Sequence, residues 1–304
     1  MACWPAAGSK AERLKVLDDF SDVKEAPLNI KIIPRDHSND RNLLSVQQLK
    51  VYFPQSKNLF GKPRDFFKAV DNVSFDVKQG ETVGLVGESG CGKTTLGRSI
   101  LRLVKPTGGK IILDGKDITA MPLDRIRQHR KEFQVVFQDP YASLNPRISI
   151  GSAIQEALGV HKLYENDKAR KEVVADMLKK VQLSPDHYKR YPHQFSGGQR
   201  QRICIARALI LKPSFLVFDE PVSALDVSVQ AGILNLLNDL KAEMNFTSVF
   251  ISHDLAVVHY ISDRIMVMNK GRIIETGTAD EIYYDPKEIY TRELINAIPG
   301  RKTS

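Results

Sequence analysis

The sequence predicts an α/β protein: a mainly parallel sheet with a helical subdomain inserted into it. Three observations carry that reading. Short, continuously apolar runs at 82–86 (TVGLV), 215–219 (FLVFD) and 247–251 (TSVFI) have the texture of strands buried on both faces. Helical spacing follows the first run and fills the gap between the other two. Residues 140–212, between these halves, read as mainly helical, and strand–helix–strand alternation on both sides of such an insert implies a parallel sheet.

The elements follow in order. Residues 1–42 are polar, with Pro5, Pro27 and Pro34, and read as a linker or leader carrying one short helix over Ala11–Phe20. From Leu43, LLSVQQLKVYF and AVDNVSFDV read as strands with partial alternation, and QGE turns the chain into TVGLVG. TTLGRSILRLV has helical spacing through Leu96, Ile100 and Leu103. GGKIILDGKDI reads as a hairpin, and QVVFQDP as a strand ended by its proline. In KARKEVVADMLKKV, Val173, Met177, Leu178 and Val181 form one apolar stripe on a charged helix, a pattern of core packing. Val229, Ile233, Leu236, Leu237 and Leu240 mark a second, strongly amphipathic helix. There is no internal repeat and no low-complexity segment.

Composition narrows the class. Of 304 residues, 42% are apolar and 26% charged, enough for a true core. The net charge of +8, from 44 basic and 36 acidic residues, suits a solvated basic surface as well as phosphates, nucleic acid or an anionic membrane face. Cys3, Cys91 and Cys204 are odd in number and contain no CxxC pair, which argues against a disulfide framework and against a zinc or iron–sulfur site. A reducing interior follows as the expected compartment. MACWPAAGSKAERLK lacks the apolar core of a secretory signal, and no run approaches the roughly 20 apolar residues of a membrane span.

The chemistry begins at GESGCGKTT, residues 87–95, which fits the phosphate-loop pattern G-x-x-x-x-G-K-[ST] after a buried strand and before a helix. Gly87, Gly90 and Gly92 let backbone amides curl around a β-phosphate where a Cβ would crowd them. Glu88, Ser89 and Cys91 occupy the variable positions of the loop. Lys93 brings a compact positive charge to the β- and γ-oxygens, Thr94 a hydroxyl for Mg²⁺, and Thr95 is expected to reach the α-phosphate. FLVFDE then ends a buried strand in Asp219, the expected Mg²⁺ carboxylate, and Glu220, the expected acceptor of a proton from the attacking water. Gln138, at the end of VVFQ, can ligate Mg²⁺ and orient water, although a glutamine there is by itself an ordinary surface residue. His253 follows directly on an apolar strand; it is structural on its own, but at the C-terminal edge of a parallel strand it faces the ligand crevice. A second phosphate-friendly turn, FSGGQRQR at 195–202, opens another helix.

In this order and spacing the phosphate loop, Gln138, FSGGQ, FLVFDE, SALD (223–226) and His253 resemble the ATP-binding subunits of ABC transporters, across residues 43–298. FSGGQ departs from the commoner LSGGQ only at its apolar first position. The longer stretches VVFQDPYASLNPR, RYPHQFSGGQRQRICIARAL and DEPVSALDVSVQAGILNLL are similar to the oligopeptide/dipeptide branch of importers, which also serves nickel and glutathione. That branch's closing P-x-H-P-Y-T is PKEIYT here, without the His-Pro, and no cysteine-rich tail follows.

The resemblance implies a RecA-like P-loop NTPase core over 43–138 and 214–298, an antiparallel β subdomain, a helical subdomain over 139–213 and a tail at 299–304. It implies ATP and Mg²⁺ as bound species, with Thr94, Gln138 and Asp219 on the metal. It makes Glu220, His253 and Gln138 the catalytic set. Two ATPase domains, identical or different, pair head to tail. Ser196, Gly197, Gly198 and Gln199 of one then meet ATP held by the other, and Asp226 links the two sites. Two membrane permeases, and indirectly an extracytoplasmic solute-binding protein, are the further partners, with no nucleic acid, at the cytoplasmic face of the cell membrane. An aromatic upstream of the phosphate loop should stack on adenine: Phe53 by alignment, with Tyr52 and Phe67 as alternatives. ACWP followed by RLKVLDDF reads either as a leader or as the junction of a tandem ATPase fusion. Two rival functions are a non-transport ABC ATPase acting on ribosomes or DNA, which normally carries paired domains or a coiled-coil insertion, and a P-loop kinase. The kinase reading leaves FSGGQ and SALD without a task.

Overall fold

The computed structural model describes residues 41–57 and 63–298; the expected helix over Ala11–Phe20, the N-terminal junction and the tail at 299–304 lie outside the described residues. Numbered along the chain, the strands are β1 (Asn42–Lys57), β2 (Pro63–Lys78), β3 (Thr82–Val86), β4 (Gly108–Leu113) and β5 (Lys116–Asp117). They continue as β6 (Phe133–Val136), β7 (Phe215–Asp219), β8 (Thr247–Ile251), β9 (Arg264–Asn269) and β10 (Arg272–Thr278). The helices are α1 (Lys93–Ile100), α2 (Leu123–His129), α3 (Pro140–Ser143), α4 (Ile150–Val160) and α5 (Asp167–Lys180). The others are α6 (Gly197–Leu209), α7 (Val227–Met244), α8 (Leu255–Ile261), α9 (Ala279–Tyr284) and α10 (Ile289–Asn296).

Packing divides the described chain into two units. The core unit holds residues 41–135, 214–220 and 246–298. Its six-stranded sheet runs β10-β9-β3-β8-β7-β6, with β3 parallel to both β8 and β9, and β7 parallel to β8. Every residue of β3, β7 and β8 is buried, as their unbroken apolar runs require. A four-stranded antiparallel sheet, β2-β1-β4-β5, supplies the second layer. Leu96 and Ile100 of α1 join Leu44, Leu49 and Ile111 of this sheet and Leu85, Val217 and Ile251 of the other in one apolar cluster. Burial of this kind contributes about 25 cal/mol per Å² of apolar surface removed from water.

Two sequence expectations shift in detail. β1 and β2 are each 16 residues long, so most of the insert PQSKNLFGKPRDFF belongs to a long hairpin, with Pro54 opposite Phe66 and Lys57 opposite Pro63. Register shifts along the pair accommodate the extra residues. Pro140 does more than stop β6: it opens α3, where its missing N–H is no loss, and Asp139 caps the turn through Tyr141 N and Ala142 N.

The helical unit holds residues 136–213 and 221–245. Residues 221–245, placed with the core on sequence grounds, therefore pack with the helices. In α5 the buried residues are Val174, Met177 and Leu178, so the stripe runs through Val174 where Val173 was expected. Positions 174, 177, 178 and 181 restore a regular i, i+3, i+4, i+7 face. Ile233, Leu236, Leu237 and Leu240 of α7 are all buried, as their spacing predicts, whereas Val229 at the start of the stripe is half-buried. Among the described residues no helix is long and apolar enough to cross a membrane.

Candidate active site

In the core unit the parallel strands deliver three chain segments to one edge of the sheet. β3 leads into the loop Gly87–Gly92, β7 into Asp219 and Glu220, and β8 into His253. The loop is tightly built. Gly92 has φ +112°, and a Cβ on it would lie 2.0 Å from the backbone oxygen of Ala69, so only glycine fits. Lys93 is buried, and its Nζ donates to the carbonyls of Gly87 and Glu88, each at 2.8 Å. The ammonium thus folds the loop around itself. Cys91 packs in the wall, and burial pushes its thiol up, away from the reactive thiolate. Gly92→Ala is expected to destabilise the chain by about 2 kcal/mol and to abolish nucleotide binding at concentrations that saturate the parent. Thermal unfolding and titration with a fluorescent ATP analogue check it.

Thr94, on the first turn of α1, donates its hydroxyl to Asp219 Oδ1 at 2.9 Å. Burial pushes the Asp219 carboxyl up, against the downward pull of Thr94 and of Arg98, whose Nε lies 3.6 Å from Oδ2. A buried carboxylate beside a hydroxyl is an all-oxygen donor set that favours a hard cation. Glu220 stands in the left-handed region at φ +50°, a conformation that costs a non-glycine residue about 1 kcal/mol. Its amide donates to Ile251 O at 3.0 Å, tying the strained turn to β8. Its carboxylate Oε2 lies 3.2 Å from His253 Nδ1. The structure therefore brings the phosphate loop, Asp219, Glu220 and His253 together.

The aromatic candidates separate by their partners. Phe53 and Phe67 are opposite one another in the β1–β2 ladder, 41% and 46% exposed. Tyr52 is engaged instead: its hydroxyl donates to Asp71 Oδ1 at 2.5 Å.

The helical unit carries the remaining residues. Ser196 caps α6 in a capping box: its Oγ accepts from Gln199 N at 3.3 Å, and Gln199 Oε1 accepts from Ser196 N at 3.1 Å. Accepting at Oγ leaves the hydroxyl proton free to be donated. A Cβ on Gly197 would lie 3.4 Å from Leu225 Cδ2 of the SALD segment, and one on Gly198 2.4 Å from Val229 Cγ1 on α7. Gln138 Nε2 donates to Ser223 Oγ at 3.3 Å, three residues before Asp226, the residue that precedes α7. Arg200 lies over the Tyr141 ring at 3.8 Å and Arg207 donates to Ser143 O at 2.5 Å, so two arginines of α6 hold the helix that follows Gln138.

Three contacts escaped sequence reasoning. Arg98 stands one turn after Thr94, a spacing that puts both on one face of α1. Ser223 and Tyr290 lie in the SALD and PKEIYT segments, but nothing in their local sequence signals the groups they touch. Tyr290, on α10, accepts a hydrogen bond from the phosphate-loop amide of Glu88 at 3.0 Å. The PKEIYT segment leading to it is anchored by Glu275, which accepts from Lys287 N and Glu288 N.

A phosphate loop between β3 and α1, with an acidic pair ending β7, the parallel strand beyond β8, defines a P-loop ATPase. The chain belongs to the ABC transporter family, whose profile matches residues 70–223. It is 49% identical over 263 residues to the oligopeptide transport ATP-binding protein AppF of Bacillus subtilis, a match spanning 86% of this chain and 80% of that protein. It is 51% identical over 260 residues to the oligopeptide transport ATP-binding protein OppF of Salmonella typhimurium, spanning 84% and 78% of the two chains. A dimeric, post-hydrolysis structure of the ATP-binding cassette MJ0796 bound to ADP and Pi matches with a TM-score of 0.69 at 26% identity, over 78% of this chain and 98% of that one.

Proposed function

We propose that the chain is the ATP-binding and hydrolysing subunit of an importer for peptides or related small solutes, acting on partner membrane permeases at the cytoplasmic face. The observation that carries the ATPase is the Glu220–His253 contact beside the phosphate loop. The peptide assignment draws its support from relatives near 50% identity that are named as oligopeptide transport proteins. A ribosomal or nucleic-acid role has only the net charge of +8 in its favour.

In this reading Glu220 Oε2 takes the proton of the attacking water, and His253 holds that carboxylate in place. The strained backbone of Glu220 aims the carboxylate and spares it the reorganisation a flexible residue would need. Lys93 neutralises phosphate oxygens from inside the loop. Thr94 and Asp219 are suited to Mg²⁺, with Gln138 as the further ligand that the family resemblance implies. The cation, when bound, offsets charge on the β- and γ-oxygens. Phe53 stacks on the base.

The Ser196–Gly198 turn has a different client. It serves ATP held by a second ATPase domain, so that two nucleotides close a head-to-tail pair and hydrolysis reopens it. The segment after Gln138, clasped to α6 by Arg200 and Arg207, passes that motion toward the permeases.

Ser196→Arg should leave ATP binding by dilute monomers unchanged and cut turnover about 100-fold, the scale for losing an anion donor at a reacting site. Phosphate release against protein concentration measures it. Loss of binding in dilute monomers would overturn the in-trans role. Copurification from membranes with two permease subunits, rather than with nucleic acid, tests the assignment to transport.

A further inference from the structure

The turn between β9 and β10 bonds both the phosphate loop and β2. On one side, Gly271 N donates to the carbonyl of Cys91 in the phosphate loop at 2.9 Å. On the other, Gly271 O accepts from Asp71 N at 2.8 Å, and the next residue, Arg272, grips the Asp71 carboxylate. Its Nε and Nη2 donate to Asp71 Oδ2 at 3.0 and 2.7 Å. The other oxygen, Oδ1, accepts from the Tyr52 hydroxyl at 2.5 Å. Tyr52 is the immediate neighbour of Phe53, and along a strand the two side chains project to opposite faces.

We propose that Arg272, Asp71 and Tyr52 are positioning residues that hold the base-stacking strand at a set distance from the phosphate loop. The proposal rests on the reading of Phe53 as the adenine contact. Its physical basis is that β1 and β2 belong to the four-stranded antiparallel sheet whereas β9, β10 and the loop-bearing β3 belong to the six-stranded one. Among the described residues no ladder hydrogen bonds join the two sheets, so their relative placement near the nucleotide depends on side-chain packing and on this turn. A buried carboxylate with both oxygens engaged by charged or phenolic donors is a stiff link of that kind. The Tyr52 bond, then Arg272, holds the Asp71 carboxyl below its usual range, so the link stays ionised at neutral pH. Lys68 Nζ lies over the Tyr52 ring, 5.6 Å from its centre.

The link acts on the base and not on the phosphates, which separates it from a general loosening of the fold. The test uses the full chain with Mg²⁺ and two probes, ATP and inorganic tripolyphosphate, titrated calorimetrically. Tyr52→Phe, which removes one oxygen, and Asp71→Asn should each raise the ATP Kd by about 3- to 10-fold, the scale of one net hydrogen bond. The tripolyphosphate Kd should stay within about twofold, since its site lacks the base contact. Equal weakening of both probes, or an unchanged ATP Kd in Tyr52→Phe, would overturn the positioning role. Should Asp71→Asn fail to fold, Tyr52→Phe decides alone. Phe53→Ala separates the two levels. If it leaves the ratio of the two Kd values unchanged, the base-stacking reading falls and the proposal with it. If it alters the ratio while Tyr52→Phe does not, only the proposal falls.

Discussion

Glu220→Gln is expected to bind ATP as the parent chain does and to lose hydrolysis by about 10²- to 10⁴-fold, the usual contribution of a positioned general base. The substitution is nearly isosteric and keeps the backbone bond from residue 220 to Ile251 O, so the left-handed turn at φ +50° is retained. What disappears is the carboxylate that accepts a proton. Its amide replacement can still meet His253 Nδ1, at the 3.2 Å separation now seen, without being basic. ATP that is bound and not consumed should hold the protein as a closed pair, visible as a dimer by light scattering at saturating nucleotide. Phosphate release at the parent rate would remove Glu220 from the mechanism. A lowered unfolding temperature without a dimer would mark a structural role instead.

Lys93→Ala is expected to fail earlier, at binding, with an ATP Kd raised on the order of 30- to 100-fold, as the loss of charged hydrogen bonds to phosphate predicts. Here the geometry adds a second cost. The ammonium bonds the carbonyls of Gly87 and Glu88 at 2.8 Å, so its removal strips the loop of its internal brace as well as its charge. Lys93→Arg separates these effects. It keeps the charge, but its planar fork cannot reproduce the compact ammonium in a position that is only 4% exposed. A Kd for Lys93→Arg close to that of Lys93→Ala would show that shape matters as much as charge. A parental Kd in Lys93→Ala would remove the phosphate role.

The strands that build the site were legible because burial on both faces leaves an unbroken apolar run, as in TVGLV, FLVFD and TSVFI. The phosphate loop was legible because its glycines answer a local backbone demand, seen here at Gly92. The β1–β2 hairpin was less so. An insert with two prolines, two lysines and a glycine reads as a break, and only cross-strand pairing extends both strands into it. Pro140 was read as a strand end because the capping carboxylate of Asp139 becomes meaningful only once the following turn is helical.

By itself the sequence determined the class of fold, the phosphate loop, the acidic pair after β7 and the family to which the chain belongs. These depend on residues close together in the chain, where side-chain type and spacing carry the physics. Only the tertiary structure decided which groups touch: Thr94 with Asp219, Glu220 with His253, Tyr52 with Asp71 and Arg272, and Tyr290 with the phosphate loop. Those contacts span 19 to 202 positions, and no local pattern encodes them, because they exist only after burial has set the strands and helices side by side.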